Sequence, residues 1–372
     1  MTRHPLWDQG IAPRLSLLRE GTYRVAYMAP QPDLGTFRYR AFNPVEALKT
    51  HESVSAAYFF YSDLKIIPNL ADWADALVLV RAPYDQRVEE LYRSFRNAGK
   101  KVLFDTDDLV FDPAYSSLVA SSLGYELQEY EFNQWSAFIV NVGESLKRAD
   151  AAITTNSFLA QKITDFVDLP AHVVPNTFNT HQHGAHPLKK PAPGAGLHIG
   201  YFSGSQTHAR DFGVASAALA EFLSTSRESR LTIVGHLPLP ADLAQFHDQV
   251  TRLPFMDFRD LQGAMASVDL NIVPLQNNDF TSGKSDLKYF EAGLVGTPTL
   301  ASRNSVFEEA IAHGDNGFLA DSLTWLSSLQ DIAARPDAQL REVGLAAHAD
   351  TVRRYSPDAL TKSLDAVFGV QK

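Results

Sequence analysis

The sequence predicts an α/β protein built of two doubly wound domains that face each other across a cleft. Three observations lead there. Short apolar runs alternate with segments of helical period along the whole chain, the pattern of βαβ units and parallel sheets. The alternation breaks once, at "THQHGAHPLKKPAPGAG" (residues 180–196), which is rich in Pro, Gly and His and has no apolar period. The 372 residues suffice for two domains of ordinary size.

In the first half, strands are expected at Tyr23–Ala29, Ala57–Tyr61, Ala76–Arg81, Lys101–Asp105, Ala151–Thr155 and His172–Pro175. Helices fit at Arg40–Thr50, Asp85–Ala98, Glu126–Arg148 and Ser157–Phe166. The alternation restarts with strands at Leu197–Ser203, Arg230–Gly235, Val268–Pro274, Thr297–Ser302 and Gly317–Leu319. Helices there fit Arg210–Ser224, Lys284–Val295, Ser305–His313, Leu323–Ala334, Asp337–Tyr355 and Asp358–Phe368. The chain thus divides into an extension (1–21) without clear periodicity, a first domain (22–180), a linker (181–196) and a second domain (197–355). After Ser356-Pro357, residues 356–372 form a final helix expected to pack back on the first domain.

Composition narrows the function. With no cysteine, the chain has no disulfide, no thiolate nucleophile and no cysteine-ligated metal. A formal charge of −10 argues against a general nucleic-acid surface, though not against one basic pocket for a small anion. No stretch approaches the roughly 18 uninterrupted apolar residues of a membrane span, and the start lacks the apolar core of a secretory leader, so a cytoplasmic location is expected. His181 and His183 come close to a metal pair but have no third ligand nearby.

The most informative stretch is "NNDFTSGKSDLKYFEAGLVGTPTLAS" (residues 277–302). A helix starting near Lys284 would follow a strand at the sheet edge where ligands collect, with Thr281, Ser282 and Ser285 as caps and Gly283 allowing close backbone approach. Lys284, Lys288 and Glu291 would share one face, and Leu287, Phe290 and Leu294 the adjoining apolar one. Two ammonium groups at a helix start suit a diphosphate, and a carboxylate one turn deeper suits the hydroxyls of a ribose. The plain alternative, a surface helix with a weak Lys288–Glu291 pair, explains the surrounding loop and buried strand less well.

"KYFEAGLVGTPTLAS" resembles the signature of retaining GT-B glycosyltransferases, particularly family 4, through Glu291, Gly296, Pro298 and Ser302. "HIGYFSGSQTHARDF" (198–212) is similar to the family's first donor-domain strand and loop, with Ser203, Gly204, Ser205, His208 and Arg210 at the matching positions. "VVPNTFN" (173–179) resembles the strand into the interdomain hinge. The resemblance implies the GT-B fold of two Rossmann-like domains. It also implies transfer of a sugar from a nucleotide diphosphate to an acceptor hydroxyl with retention of configuration. One departure stands out: many members carry a first glutamate eight positions before the second, and here Gly283 occupies that place, while Lys288 fits a variant pattern.

"KVLFDTDDL" places Asp105, Asp107 and Asp108 at a strand end. These acids could hold a metal, cap a turn or line the cleft from the acceptor side; the metal is the poorest reading, because the nucleotide signature lies in the other domain. "APQPDLGTFRYRAFNP" (29–44) resembles the family's glycine-containing loop under the donor phosphates, which would turn Gly35, Arg38 and Arg40 to the cleft. Positive charge at a helix start opposes the dipole and fits a nearby anion.

The resemblance therefore assigns leaving-group assistance to Arg210, Lys284 and Lys288, with His208 as a further donor. Ribose contact falls to Glu291, and Gly35, Gly204, Ser205 and Ser285 line the donor site. Asp105 would orient the acceptor, beside Arg38, Arg40, Asp107 and Asp108 on the acceptor side. No metal or other cofactor is expected. The partners are a nucleotide sugar and a glycan or lipid-linked acceptor, as in bacterial polysaccharide synthesis at the inner membrane face. A nucleotide-sugar epimerase of the same fold and a non-catalytic sugar-binding protein remain as alternatives.

Overall fold

The computed structural model describes residues 4–370 except 68, 124, 184–187, 189–195 and 205–208, and it contains two parallel sheets of six strands each. The first comprises β1 (Tyr23–Ala29), β2 (Val54–Phe60), β3 (Ala76–Val80), β4 (Lys101–Thr106), β5 (Ala151–Thr154) and β6 (Ala171–Val173), in the order β2-β1-β3-β4-β5-β6. The second comprises β7 (His198–Ser203), β8 (Arg230–Gly235), β9 (Val250–Leu253), β10 (Leu270–Val273), β11 (Thr299–Ser302) and β12 (Phe318–Ala320), in the order β12-β11-β10-β7-β8-β9.

Helices cover both faces of each sheet, so central strands such as β3 (ALVLV) are buried at every residue and read as apolar runs, not alternations. The helix Gln86–Asn97 shows how its neighbours form: Val88, Leu91, Tyr92 and Phe95 recur at helical spacing on the buried side, and the Asp85 carboxylate caps the start by accepting from the Val88 amide. The strand order reverses between β1 and β3 in one sheet and between β7 and β10 in the other. Loops leave such switch points on opposite sides, opening a crevice at the carboxyl ends of the strands.

The two doubly wound domains expected from the sequence are present. The first residues are more ordered than an extension. Ile11–Leu18 is a helix, and Arg14 inserts under it to pair with Asp63 (2.7 and 3.1 Å) and to donate to the Tyr58 carbonyl (3.0 Å). Trp7 is buried against Phe37 and Phe42. Pro13 and the polar residues between its apolar positions hide this short helix from a periodicity reading.

The expected helix Lys284–Val295 divides into a turn at Asp279–Ser282 and a helix at Leu287–Gly293. Asp286 occupies the position before that helix and makes no side-chain cap bond, so Thr281, Ser282 and Ser285 do not cap it. Gly296, in the left-handed region at φ 73°, turns the chain from this helix toward β11. The final helix, Pro357–Phe368, packs on the first domain: Leu360 and Leu364 join the core around Tyr27, Phe42 and Val45, and Thr361 donates to the Ala47 carbonyl (3.3 Å). Most of the expected linker 181–196 lies outside the described residues.

Candidate active site

A cavity of about 470 Å³ opens between the facing sheet edges, lined from both halves of the chain. Its first-domain wall comes from loops at the strand ends: Asp33, Gly35, Thr36, Arg38 and Tyr39 after β1, Arg81 after β3, and Asp107 and Asp108 after β4. Val110, Val119, Leu123 and Trp135 extend this wall as an apolar panel. The second-domain wall carries Ser203 and Gly204 after β7, Leu275 after β10, and Lys284, Ser285, Lys288 and Glu291. Val234, Phe255, Met256 and Phe258 supply its apolar part.

The loop after β1 shows why neighbouring side chains part company. Arg38–Phe42 is a π-helical turn, and residues two apart on a helical turn point to different sides. Arg38 faces the cavity and Arg40 faces away from it. The Arg40 guanidinium binds Asp105 through two bonds (2.7 and 2.9 Å) and donates to the Val174 carbonyl (2.7 Å) and to Asn176 (3.1 Å). Arg40 and Asp105 are 1% and 2% exposed. Neither lines the cavity, so their expected places at the cleft are corrected: they form a buried ion pair beneath it. Burial pushes the Asp105 carboxyl up to about 6, against the pull of Arg40.

Asp107 and Asp108 do face the cavity. Thr36 donates to Asp107 (3.0 Å), and Arg81 lies 3.4 Å from Asp107 and 3.3 Å from Asp108. Arg81 was not singled out in the sequence. Its signal is a charged residue closing an uninterrupted apolar strand at a ligand edge. Its backbone is left-handed (φ 46°), a conformation that costs a non-glycine residue free energy and gathers at functional sites. Burial raises the Asp108 carboxyl, while Lys284 from the opposite wall and Arg81 pull it down. Burial also raises Asp33, against the amides of Phe37 and Gly35 that donate to it (3.2 and 2.7 Å). Tyr39, Trp135 and Phe255 were likewise missed; each is an aromatic of the kind that usually signifies only a core.

On the second domain, Lys288 and Glu291 lie on the helix Leu287–Gly293, whose position is held by Asn271 of β10 donating to the Lys288 carbonyl (3.0 Å). Lys284 precedes the helix and reaches the same cavity from the loop, its ammonium 4.5 Å from the Phe280 ring centre. Asn176 donates to Ser285 (3.0 Å) across the domains. Burial depresses Lys288 to about 8, with Lys284 adding to the fall and Asp211 and Glu291 opposing it. Glu291 is 3% exposed, and its Oε1 accepts from the Tyr39 hydroxyl and from Arg38 (3.1 Å). Arg38, expected on the acceptor side, therefore sits against the second domain's carboxylate.

Gly283, at the place of the family's first glutamate, is buried; a Cβ there would lie 3.0 Å from Leu159 and 3.4 Å from Leu109. A carboxylate would enter an apolar contact between the domains. Arg210 is exposed in the first turn of the helix Ala209–Thr225, where Asp211 and Phe212 take the inward positions, and it is not part of the cavity lining. Ser205 and His208 lie outside the described residues. Among the described residues, no group of three or more histidines or acids is arranged to hold a metal, and no helix is long and apolar enough to cross a membrane.

Comparison with known proteins agrees with this arrangement. Anabaena HepE in complex with UDP and glucose superposes with a TM-score of 0.63 at 14% identity, covering 93% of this chain and 99% of that one. A glycosyltransferase from Rickettsia africae gives 0.64 at 11%, covering 94% and 100%. WaaG, a glycosyltransferase involved in lipopolysaccharide biosynthesis, gives 0.58 at 13%, covering 93% and 100%. No curated protein sequence matches. The fold of the two halves is that of the GT-B proteins. Residues 198–334 match the family described as Glycosyl transferases group 1.

Two outcomes follow from the charges. Replacing Asp105 by Asn leaves Arg40 buried without a counter-charge and should cost about 3–5 kcal/mol in denaturant unfolding; unchanged stability with lost turnover would instead place Asp105 in the chemistry. A lysine titrating at about 8 is roughly nine-tenths charged at pH 7 and one-tenth at pH 9. Calorimetric affinity for a diphosphate anion that the cavity binds should then fall up to about tenfold between those values, and Lys288→Arg should flatten the profile. An equal fall in both proteins would remove Lys288 as its cause.

Proposed function

We propose that the protein is a retaining, family 4-like glycosyltransferase that takes a sugar from a nucleotide diphosphate donor to a glycan or glycolipid hydroxyl without a metal ion. The observation that carries this reading is the joint placement of Lys284, Lys288 and Glu291 in one cleft with the acid-lined wall of the other domain. The two lysines face the donor's diphosphate, and the second carboxylate oxygen of Glu291 accepts from the ribose hydroxyls. Val234, Phe255 and Met256 offer the base an apolar slot, with His236 stacked behind Phe255 at 5.6 Å. The acceptor meets Asp107, Asp108 and Arg81.

In the transfer, the bond from the anomeric carbon to the diphosphate oxygen breaks as the acceptor oxygen bonds to the same face of the sugar. The acceptor proton passes to the departing phosphate, so no protein nucleophile is required. Lys288, half-buried in the cavity wall, stabilises the charge that develops on the leaving oxygen. HepE was solved in complex with UDP and glucose, and WaaG is involved in lipopolysaccharide biosynthesis. Those likenesses support a nucleotide-sugar donor and a role in bacterial polysaccharide assembly, in the cytoplasm at the inner membrane face.

Calorimetry against UDP, GDP, ADP and dTDP, in EDTA and then in magnesium, tests this. One nucleoside diphosphate should bind equally in both, and Glu291→Ala should weaken it at least tenfold, the scale of a lost hydrogen bond to a charged group. Absence of binding by all four would overturn the donor assignment, and binding only with magnesium would overturn metal independence.

A further inference from the structure

Arg38 holds a donor that the fold leaves unused. Its side chain is 5% exposed yet forms part of the cavity wall. Nε donates to the Leu34 carbonyl (2.8 Å), and Nη2 donates to the Tyr39 hydroxyl (2.6 Å) and to Glu291 (3.1 Å). The guanidinium is clamped between the rings of Tyr39 and Phe258, at 4.1 and 4.6 Å from their centres. Nη1 is buried and has no partner among the described residues. A charged donor left so costs more than the ~1–3 kcal/mol of a neutral one, and such groups call for an explanation.

The two lysines of the cleft are partly committed. Lys284 faces Asp108 across the cavity, and Lys288 feels the charges of Asp211 and Glu291. A diphosphate entering there meets cations already drawn to carboxylates. Arg38 is also paired with a carboxylate, but its Nη1 carries no bond, on a guanidinium whose orientation three hydrogen bonds and two ring contacts already fix. Arginine presents a planar fork suited to phosphate oxygens, and its ordering has been met before the ligand arrives.

Resting on the nucleotide-sugar reading, we propose that Arg38 of the first domain donates through Nη1 to a diphosphate oxygen of the donor. It thereby completes from across the cleft a phosphate site whose other cations belong to the second domain. The Arg38–Glu291 bond sets this phosphate contact beside the carboxylate of the second domain.

The test compares affinities for uridine, UMP, UDP and inorganic pyrophosphate in the full chain, in Arg38→Gln and in Arg38→Lys, with melting temperatures alongside. The other three diphosphates and their nucleosides replace the uridine series if UDP is not the one bound. Gln should lower the preference for diphosphate over nucleoside at least tenfold while nucleoside affinity stays within about twofold. Lys should restore part of that preference. An unchanged preference in Arg38→Gln overturns the proposal, and so does an equal loss for nucleoside and diphosphate, which would make Arg38 only a positioning residue for Glu291. If the Gln variant does not fold, the comparison of the Lys variant with the parent decides, because a single ammonium cannot reproduce the fork and should still lower the preference. Failure of the parent to bind any diphosphate, pyrophosphate included, overturns the donor reading itself, a result distinct from a parent that binds and a variant that binds equally.

Discussion

The cleft is organised around the ion pair between Arg40 and Asp105. One guanidinium ties the loop after β1 to the end of β4 and, through Val174 and Asn176, to the segment that follows β6. Taking two charges out of water costs several kcal/mol per ion, and only near-complete hydrogen bonding makes such a pair tolerable. Arg40 meets that condition with four bonds. What the pair provides is registration: Arg38 and Tyr39 lie just before it, Asp107 and Asp108 just after it, and Asn176 extends it to Ser285 on the other domain.

From that node the site divides its chemistry between two walls. The first domain contributes acids, two of them bridged by Arg81, whose backbone is left-handed. The second contributes lysines and one carboxylate on a short helix. Each wall by itself is poorly compensated: Lys288 is depressed by burial, and Asp33 and Asp108 are raised by it. Across the cleft the imbalances meet, Lys284 with Asp108 and Arg38 with Glu291. Perturbed groups of opposite kind concentrated in one cavity are what functional sites gather. Gly283 marks the limit of this design, since the tight contact with Leu109 and Leu159 replaces an acid with packing.

Much of the fold was readable because buried parallel strands announce themselves as apolar runs. β1 and β8 fall where the pattern put them, and Glu291 and Lys288 line the cavity from the helix whose spacing set them on one face. The failures have a common cause. Arg40 and Asp105 looked like cleft residues because charge in a loop near a strand end usually is; only the tertiary contact between residues 65 positions apart shows them pairing beneath the surface. The same holds for Arg14 with Asp63 and for the burial of Trp7. Arg81 and the unpartnered Nη1 of Arg38 depend on backbone dihedrals and on what neighbours fail to supply, neither of which has a signature in residue order.

In the proposed reading, both domains grip one nucleotide. Hydrogen exchange of the full chain, followed with and without its nucleoside diphosphate, tests this directly. Protection gained together at residues 33–40 and 284–291 is the predicted result. Protection confined to the second domain, with residues 33–40 exchanging as before, would contradict it.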